Sequence, residues 1–201
     1  MSCVYCNHYI LYKLKDGNYK CAKCKKKFSP KKIERKAKIL KGFLDELTPS
    51  DISKKYKISY ATVVNEIKKI RILIAQICEE EFLKKENIKE FEEYLYIPNK
   101  NIYKAQNFLT IDYGGKIYNI LMSSMKNFEH FSEEEIKKYL RQSKIIKIYE
   151  KKLIKEFWIY FNNFIKRFKG VSEENFFYYL KEAEFRFNKY EIDISDLIKR
   201  I

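Results

Sequence analysis

Four thiols near the amino end have the residue type and spacing for metal chemistry. They are Cys3 and Cys6, with two residues between them, and Cys21 and Cys24, spaced the same way. A tetrahedral Zn²⁺ takes four thiolates, and each Cys-x-x-Cys pair can supply two ligands from one tight knuckle. Between the pairs, Tyr9 to Lys20 alternates aromatic or aliphatic residues with polar ones around Asp16-Gly17, which reads as a β-hairpin. Knuckle, hairpin and knuckle predict a zinc ribbon over residues 1–28. Two disulfides would need an oxidising compartment, whereas a lysine-rich chain with no apolar signal segment at Met1 is expected in the reducing cytoplasm.

A second group of side chains could read a nucleic acid. The stretch Asp51 to Ile70 gives a short helix, a tight Lys57-Ile58-Ser59 connection and a helix capped by Ser59. This pattern predicts a helix-turn-helix. Val63, Ile67, Ile70 and Ile74 fall on the core side at helical spacing. Tyr60, Ala61, Val64, Asn65, Lys68 and Lys69 remain to face a major groove. Asn65 can pair with adenine through two hydrogen bonds, Ala61 and Val64 can touch thymine methyls, and Lys68 and Lys69 can meet phosphates.

The elements that position these groups follow from local signals. Ser29-Pro30 opens a helix expected to run to about Leu47, and Thr48-Pro49 opens the next. The helix-turn-helix domain is thus expected over residues 29–80. Further on, strands are predicted at Phe91–Ile97, Asn107–Tyr113 and Lys116–Met122, the last two joined by Gly114-Gly115. Ser132 with Glu135 is a capping box for a helix to about Gln142, and Ile145–Tyr149 reads as a strand. A helix to about Phe168 carries Phe157, Trp158, Phe161, Phe164, Ile165 and Phe168, and Gly170 stops it. Ser172 caps another helix, and residues 192–201 form a weak amphipathic one.

Charge separates the two parts of the chain. The net charge of the 201 residues is +15, and residues 1–80 hold 19 basic against 8 acidic side chains, so +11 lies there. A polyanion is the expected partner of that part. With 46% hydrophobic residues and no apolar run long enough for a bilayer, the chain reads as globular and not membrane-spanning. The fold class expected is α+β in several modules.

These features together resemble the ISXO-type bacterial insertion-sequence transposases, which combine a zinc ribbon, a helix-turn-helix and an RNase-H-like domain with DDE chemistry. The residues carrying the likeness are "YKLKDGNYKCAKCKKKFSP", the helix-turn-helix after it, and "EFWIYFNNFIKRFKGVSEENFFYYLKEAEFRFN". The resemblance implies a shortened RNase-H-like domain over residues 88–201, ending in aromatic-rich helices. It also implies carboxylates that hold Mg²⁺ for cutting and joining DNA. The matching positions are Glu92, with Glu93 beside it, then Glu150 and Glu156. The implied partner is double-stranded DNA at the terminal repeats of an insertion sequence, in a nucleoid-associated cytoplasmic protein that could form a homo-oligomer. Three departures predict impaired catalysis. Glu92 stands where the family has Asp, Lys155 stands where the third acid belongs, and Met125–Lys155 is short. The alternative is a non-catalytic DNA-binding regulator or transposition accessory derived from a transposase.

Overall fold

The computed structural model describes residues 1–84, 88–98, 104–122 and 152–190, with positions 130, 132, 134 and 135. The predicted strand at Ile145–Tyr149, most of the helix begun at Ser132 and the terminal helix lie outside these residues. At the described positions of the capping box, the Ser132 amide and hydroxyl both donate to Glu135 Oε2 and the Glu135 amide donates to Ser132 Oγ. The described chain is mixed α/β, with five helices and two three-stranded antiparallel sheets. It divides into two compact units at Leu73 and Ile74, inside one helix.

The first unit opens with strands β1 (Leu11–Lys13), β2 (Tyr19–Cys21) and β3 (Lys27–Phe28), in the order β1-β2-β3. The third strand was not anticipated from sequence, because two residues carry no alternation. Asp16 shapes the hairpin tip: it accepts from the Asn18 amide at 3.0 Å and the Asn18 side chain at 2.8 Å. Gly17 there takes φ 76°. One face of this sheet is apolar: Leu11, Tyr19 and Phe28 pack with Cys3 and Cys21.

Three helices follow: α1 (Pro30–Leu44), α2 (Pro49–Tyr56) and α3 (Tyr60–Leu83). Ser29 Oγ accepts from the Lys32 amide, and Thr48 Oγ1 from the Asp51 amide, so both expected caps form. Helix α1 ends three residues before the expected Leu47. Glu46 takes the left-handed conformation, φ 59°, and the Leu47 amide returns to the Gly42 carbonyl. That is the geometry of a Schellman ending, disguised in the sequence because glutamate occupies the glycine position. Gly42 also sets the α1–α2 approach, since a Cβ there would meet Ile52 Cγ1 at 2.7 Å. Ile39, Leu40 and Phe43 of α1, Ile52 of α2, and Val63, Ile67 and Ile70 of α3 are buried.

The second unit contains β4 (Glu90–Tyr96), β5 (Gln106–Asp112), β6 (Ile117–Leu121), α4 (Lys152–Ile165) and α5 (Glu173–Phe187). The strands form an antiparallel meander, with Glu92 opposite Thr110 and Thr110 opposite Asn119. Gly114 and Gly115, at φ 71° and 86°, close the β5–β6 hairpin, and the Gly115 amide donates to Asp112 Oδ1. One sheet face packs Tyr94, Tyr96, Phe108 and Ile117 against Ile154, Phe157, Phe161 and Phe164 of α4 and Phe176 and Leu180 of α5. On the other face Ile111, Tyr113 and Tyr118 pack with Phe82 from the end of α3, whose ring stacks on Tyr118 at 3.9 Å. Ser172 precedes α5 as expected, but its hydroxyl is taken by the Asn175 side chain.

The free edge of β6 is closed by side chains of α5. Glu184 Oε2 accepts from the Asn119 amide, while Asn188 accepts from the Ile117 amide and donates to the Ile117 carbonyl. Glu184 and Asn188, the C-cap of α5, are four apart, so one face of the helix and its cap meets alternate outward-facing groups of a strand. This is what the Glu-Phe-Arg-Phe-Asn run does. Glu184 is fully buried and pairs with Lys181 Nζ at 3.1 Å, itself 1% exposed. Replacing Glu184 with Gln keeps the shape but leaves the Lys181 charge buried without its counter-ion. Chemical denaturation should show Glu184→Gln destabilised by roughly 3–5 kcal/mol. A loss below about 1 kcal/mol would mean the pair is dispensable.

Candidate functional site

The two knuckles are built alike. The Asn7 amide donates to the Cys3 carbonyl and the Cys3 amide to the His8 carbonyl. The Lys25 amide likewise donates to the Cys21 carbonyl and the Cys21 amide to the Lys26 carbonyl. Asn7 and Lys25, each four residues after the first cysteine, both take the left-handed conformation, at φ 57° and 60°. Each knuckle thus curls its cysteine pair around one point, and β1–β2 brings the two points together.

The four Sγ atoms lie within 4.8 Å of one another. Cys3 and Cys24 are 3.6 Å apart, as are Cys6 and Cys21. A disulfide requires about 2.05 Å, and all four thiols are free. Four ligands at about 2.3 Å around a tetrahedral metal stand roughly 3.8 Å apart, so spacing and donor chemistry both fit. The group could hold a metal ion such as zinc. Cys3 and Cys21 are buried and Cys6 and Cys24 half-buried. Burial opposes ionisation of Cys21, but the Cys24 and Lys23 amides and the neighbouring thiols outweigh it and bring its pKa to about 6. Protein as purified should contain one equivalent of zinc by elemental analysis. Stripping it with a chelator should unfold residues 1–28, since structural zinc contributes on the order of 10 kcal/mol. Cysteines found oxidised in pairs, with no zinc, would refute this.

The face of α3 proposed for recognition is open to solvent. Tyr60 is 59% exposed and Val64 38%, with Ala61, Asn65, Lys68 and Lys69 also exposed; Val63, Ile67, Ile70 and Ile74 are buried. The approach to it is tight: Lys57 is left-handed at φ 53°, and Ser53 Oγ donates to the Ile58 carbonyl. Ser59 Oγ accepts from the Thr62 amide at the start of α3. Lys69 is tied to Glu66 at 2.8 Å. Glu66, buried between the core positions, was not foreseen; its only sequence signal is a position three residues before a lysine on one helix face.

The carboxylates are placed differently. Glu92 lies on β4, on the face that packs against α4, and Glu156 is exposed on α4 beside exposed Lys155. Glu150 lies outside the described residues. Among the described residues the Cys group is the one cluster of three or more side chains able to hold a metal, and neither Glu92 nor Glu156 joins it. Glu93 instead accepts from the Asn107 side chain. Asn162 donates to Tyr94 Oη at 2.6 Å and the Trp158 carbonyl at 2.9 Å, tying α4 to β4. Trp158 Nε1 donates to Thr110, whose hydroxyl donates to Asn119 Oδ1. No described helix is long and apolar enough to cross a membrane. No protein-family model matches the chain, and no curated protein or solved structure matches it.

Proposed function

We propose that this chain is a DNA-binding protein of transposase type, in which a zinc ribbon and a helix-turn-helix engage the terminal repeats of an insertion sequence. The observation that carries the reading is the face of α3. An amide, two ammonium groups and small apolar side chains are exposed together, within a segment of the chain whose net charge is +11. Those are the groups that major-groove readout uses: amide to adenine, methyls to thymine, ammonium to phosphate. The tight Lys57–Ser59 connection and paired caps support a helix-turn-helix. The cytoplasm, at the nucleoid, is the compartment this reading requires.

Duplex binding by the full chain should weaken by orders of magnitude between about 50 and 200 mM salt, because bound phosphates release counterions. Asn65→Ala should cost about 1–3 kcal/mol at one base pair and relax preference there. Lys68→Ala should weaken all sequences alike. Gel-shift or anisotropy titration showing no duplex affinity would remove the reading.

For the α/β unit we propose a shortened RNase-H-like domain whose cutting and joining chemistry is impaired, which leaves a regulator or transposition accessory as the second reading. What favours impairment is the exposed ammonium of Lys155 where the resemblance places the third acid. Bound Mg²⁺ would supply an activated nucleophile and charge stabilisation. The residues present fit it poorly. Glu156 is one position away, a turn of roughly 100° around the helix, and Lys155 repels a cation. Strand-cleavage assays on the element's own ends with Mg²⁺ or Mn²⁺ should show little product. Robust cleavage lost in Glu92→Gln would restore the full transposase activity.

A further inference from the structure

The ribbon sheet has a second face. Its strand register places Tyr12 opposite Lys20 and Lys20 opposite Lys27, one row across all three strands. Directly paired residues point to the same side of a sheet, and the opposite side is the one that packs Leu11, Tyr19 and Phe28 around the cysteines. The row therefore faces outward. Tyr12 is 57% exposed, Lys27 exposed and Lys20 half-buried.

Two like charges directly opposite each other in a sheet repel. Neither ammonium has a hydrogen bond or ion pair among the described residues. Residues 1–28 contain seven lysines and a single carboxylate, Asp16. That carboxylate is engaged by Asn18 at the hairpin tip: the Asn18 amide and side chain hold its pKa below the usual range, with Lys27 the weakest influence on it. The repulsion is left for an external anion to relieve. Phe28 continues through Ser29 into α1, and Ile33 of α1 packs on the ribbon's apolar cluster, so the row is fixed to the helices of the same unit.

We propose that Tyr12, Lys20 and Lys27 form a phosphate-backbone contact for duplex DNA, indifferent to sequence and additional to the α3 face. The inference rests on the DNA-binding reading. Lys20 and Lys27 meet phosphate oxygens, and Tyr12 donates its hydroxyl to the backbone or lays its ring against a sugar.

The test measures affinity of the zinc-loaded full chain for a mixed-sequence duplex, by anisotropy at several salt concentrations. Lys20→Gln with Lys27→Gln should lower the slope of log K against log salt by about 2, near 0.9 for each phosphate. Raising salt from 50 to 200 mM should then weaken this variant roughly tenfold less than the parent. Lys20→Arg with Lys27→Arg should keep the parent slope, and unchanged zinc content should show the variants folded. Lys13→Gln with Lys15→Gln removes equal charge off the row and should leave the slope near the parent's. An unchanged slope in the Lys20/Lys27 glutamine variant, while Lys68→Ala weakens binding, overturns this contact and leaves the α3 reading standing. An equal fall in the Lys13/Lys15 variant overturns it too, by showing net charge alone at work. No duplex affinity in the parent overturns both.

Discussion

A carboxylate sealed from water organises the α/β unit. Burial pushes the Glu184 pKa upward, against the pull of Lys181 and Asn119. Its charge is met by three donor groups: the Asn119 amide, the Asn119 side chain and the Lys181 ammonium. Lys181 in turn lies 3.6 Å over the Tyr118 ring, and Tyr118 donates to Glu79 on α3. Cys78 sits against the Lys181 carbonyl, and burial raises its pKa, so it behaves as a small apolar side chain. Helix α5, the edge strand and the end of α3 thus share one polar chain of contacts beside a core of aromatic and aliphatic side chains. Such a network is costly when incomplete and directional when complete. It fixes how α5 lies along the strand in a way that interlocking rings alone do not.

The first unit solves a different problem. Its ribbon buries only Cys3, Cys21 and Phe28 fully, with a few half-buried neighbours. So small a cluster supplies little hydrophobic stabilisation, and domains of this size generally need a covalent or metal link. The repeated knuckle answers that need. The same two backbone hydrogen bonds and the same left-handed residue recur in both halves, so each cysteine pair is shaped by bonds local to its own knuckle.

What could be read from the sequence depended on how local its cause was. The cysteine spacing, the Ser29, Thr48 and Ser59 caps, and the Gly114-Gly115 turn are short-range devices, and the structure contains each. The apolar spacing of Val63, Ile67, Ile70 and Ile74 likewise matches their burial. Glu66, Lys181 and Glu184 could not be recognised as interior, because a charged residue in a chain with 34% charged residues reads as surface. Their burial depends on partners remote in sequence; Glu184 meets Asn119 across 65 positions. The Glu-Phe-Arg-Phe-Asn run was visible as a pattern without its cause, which requires knowing which strand lies beside it. The ribbon's outward row was hidden for the same reason, since Lys20 and Lys27 are opposed only through a strand of two residues.

The side chains lying along β6 decide how this sheet can grow. A strand bonds a neighbour through the amides and carbonyls it still has free, and at Ile117 and Asn119 those amides are already occupied. Helix α5 therefore acts as a terminator on that flank, a role usually played by charge, proline or a bulge. Among the described residues β5 has neighbours on both sides and β4 on one. Among the described residues, the outer edge of the sheet that α5 side chains do not meet is that of Glu90–Tyr96. Extension of the sheet and the surroundings of Glu92 are for that reason a single structural question.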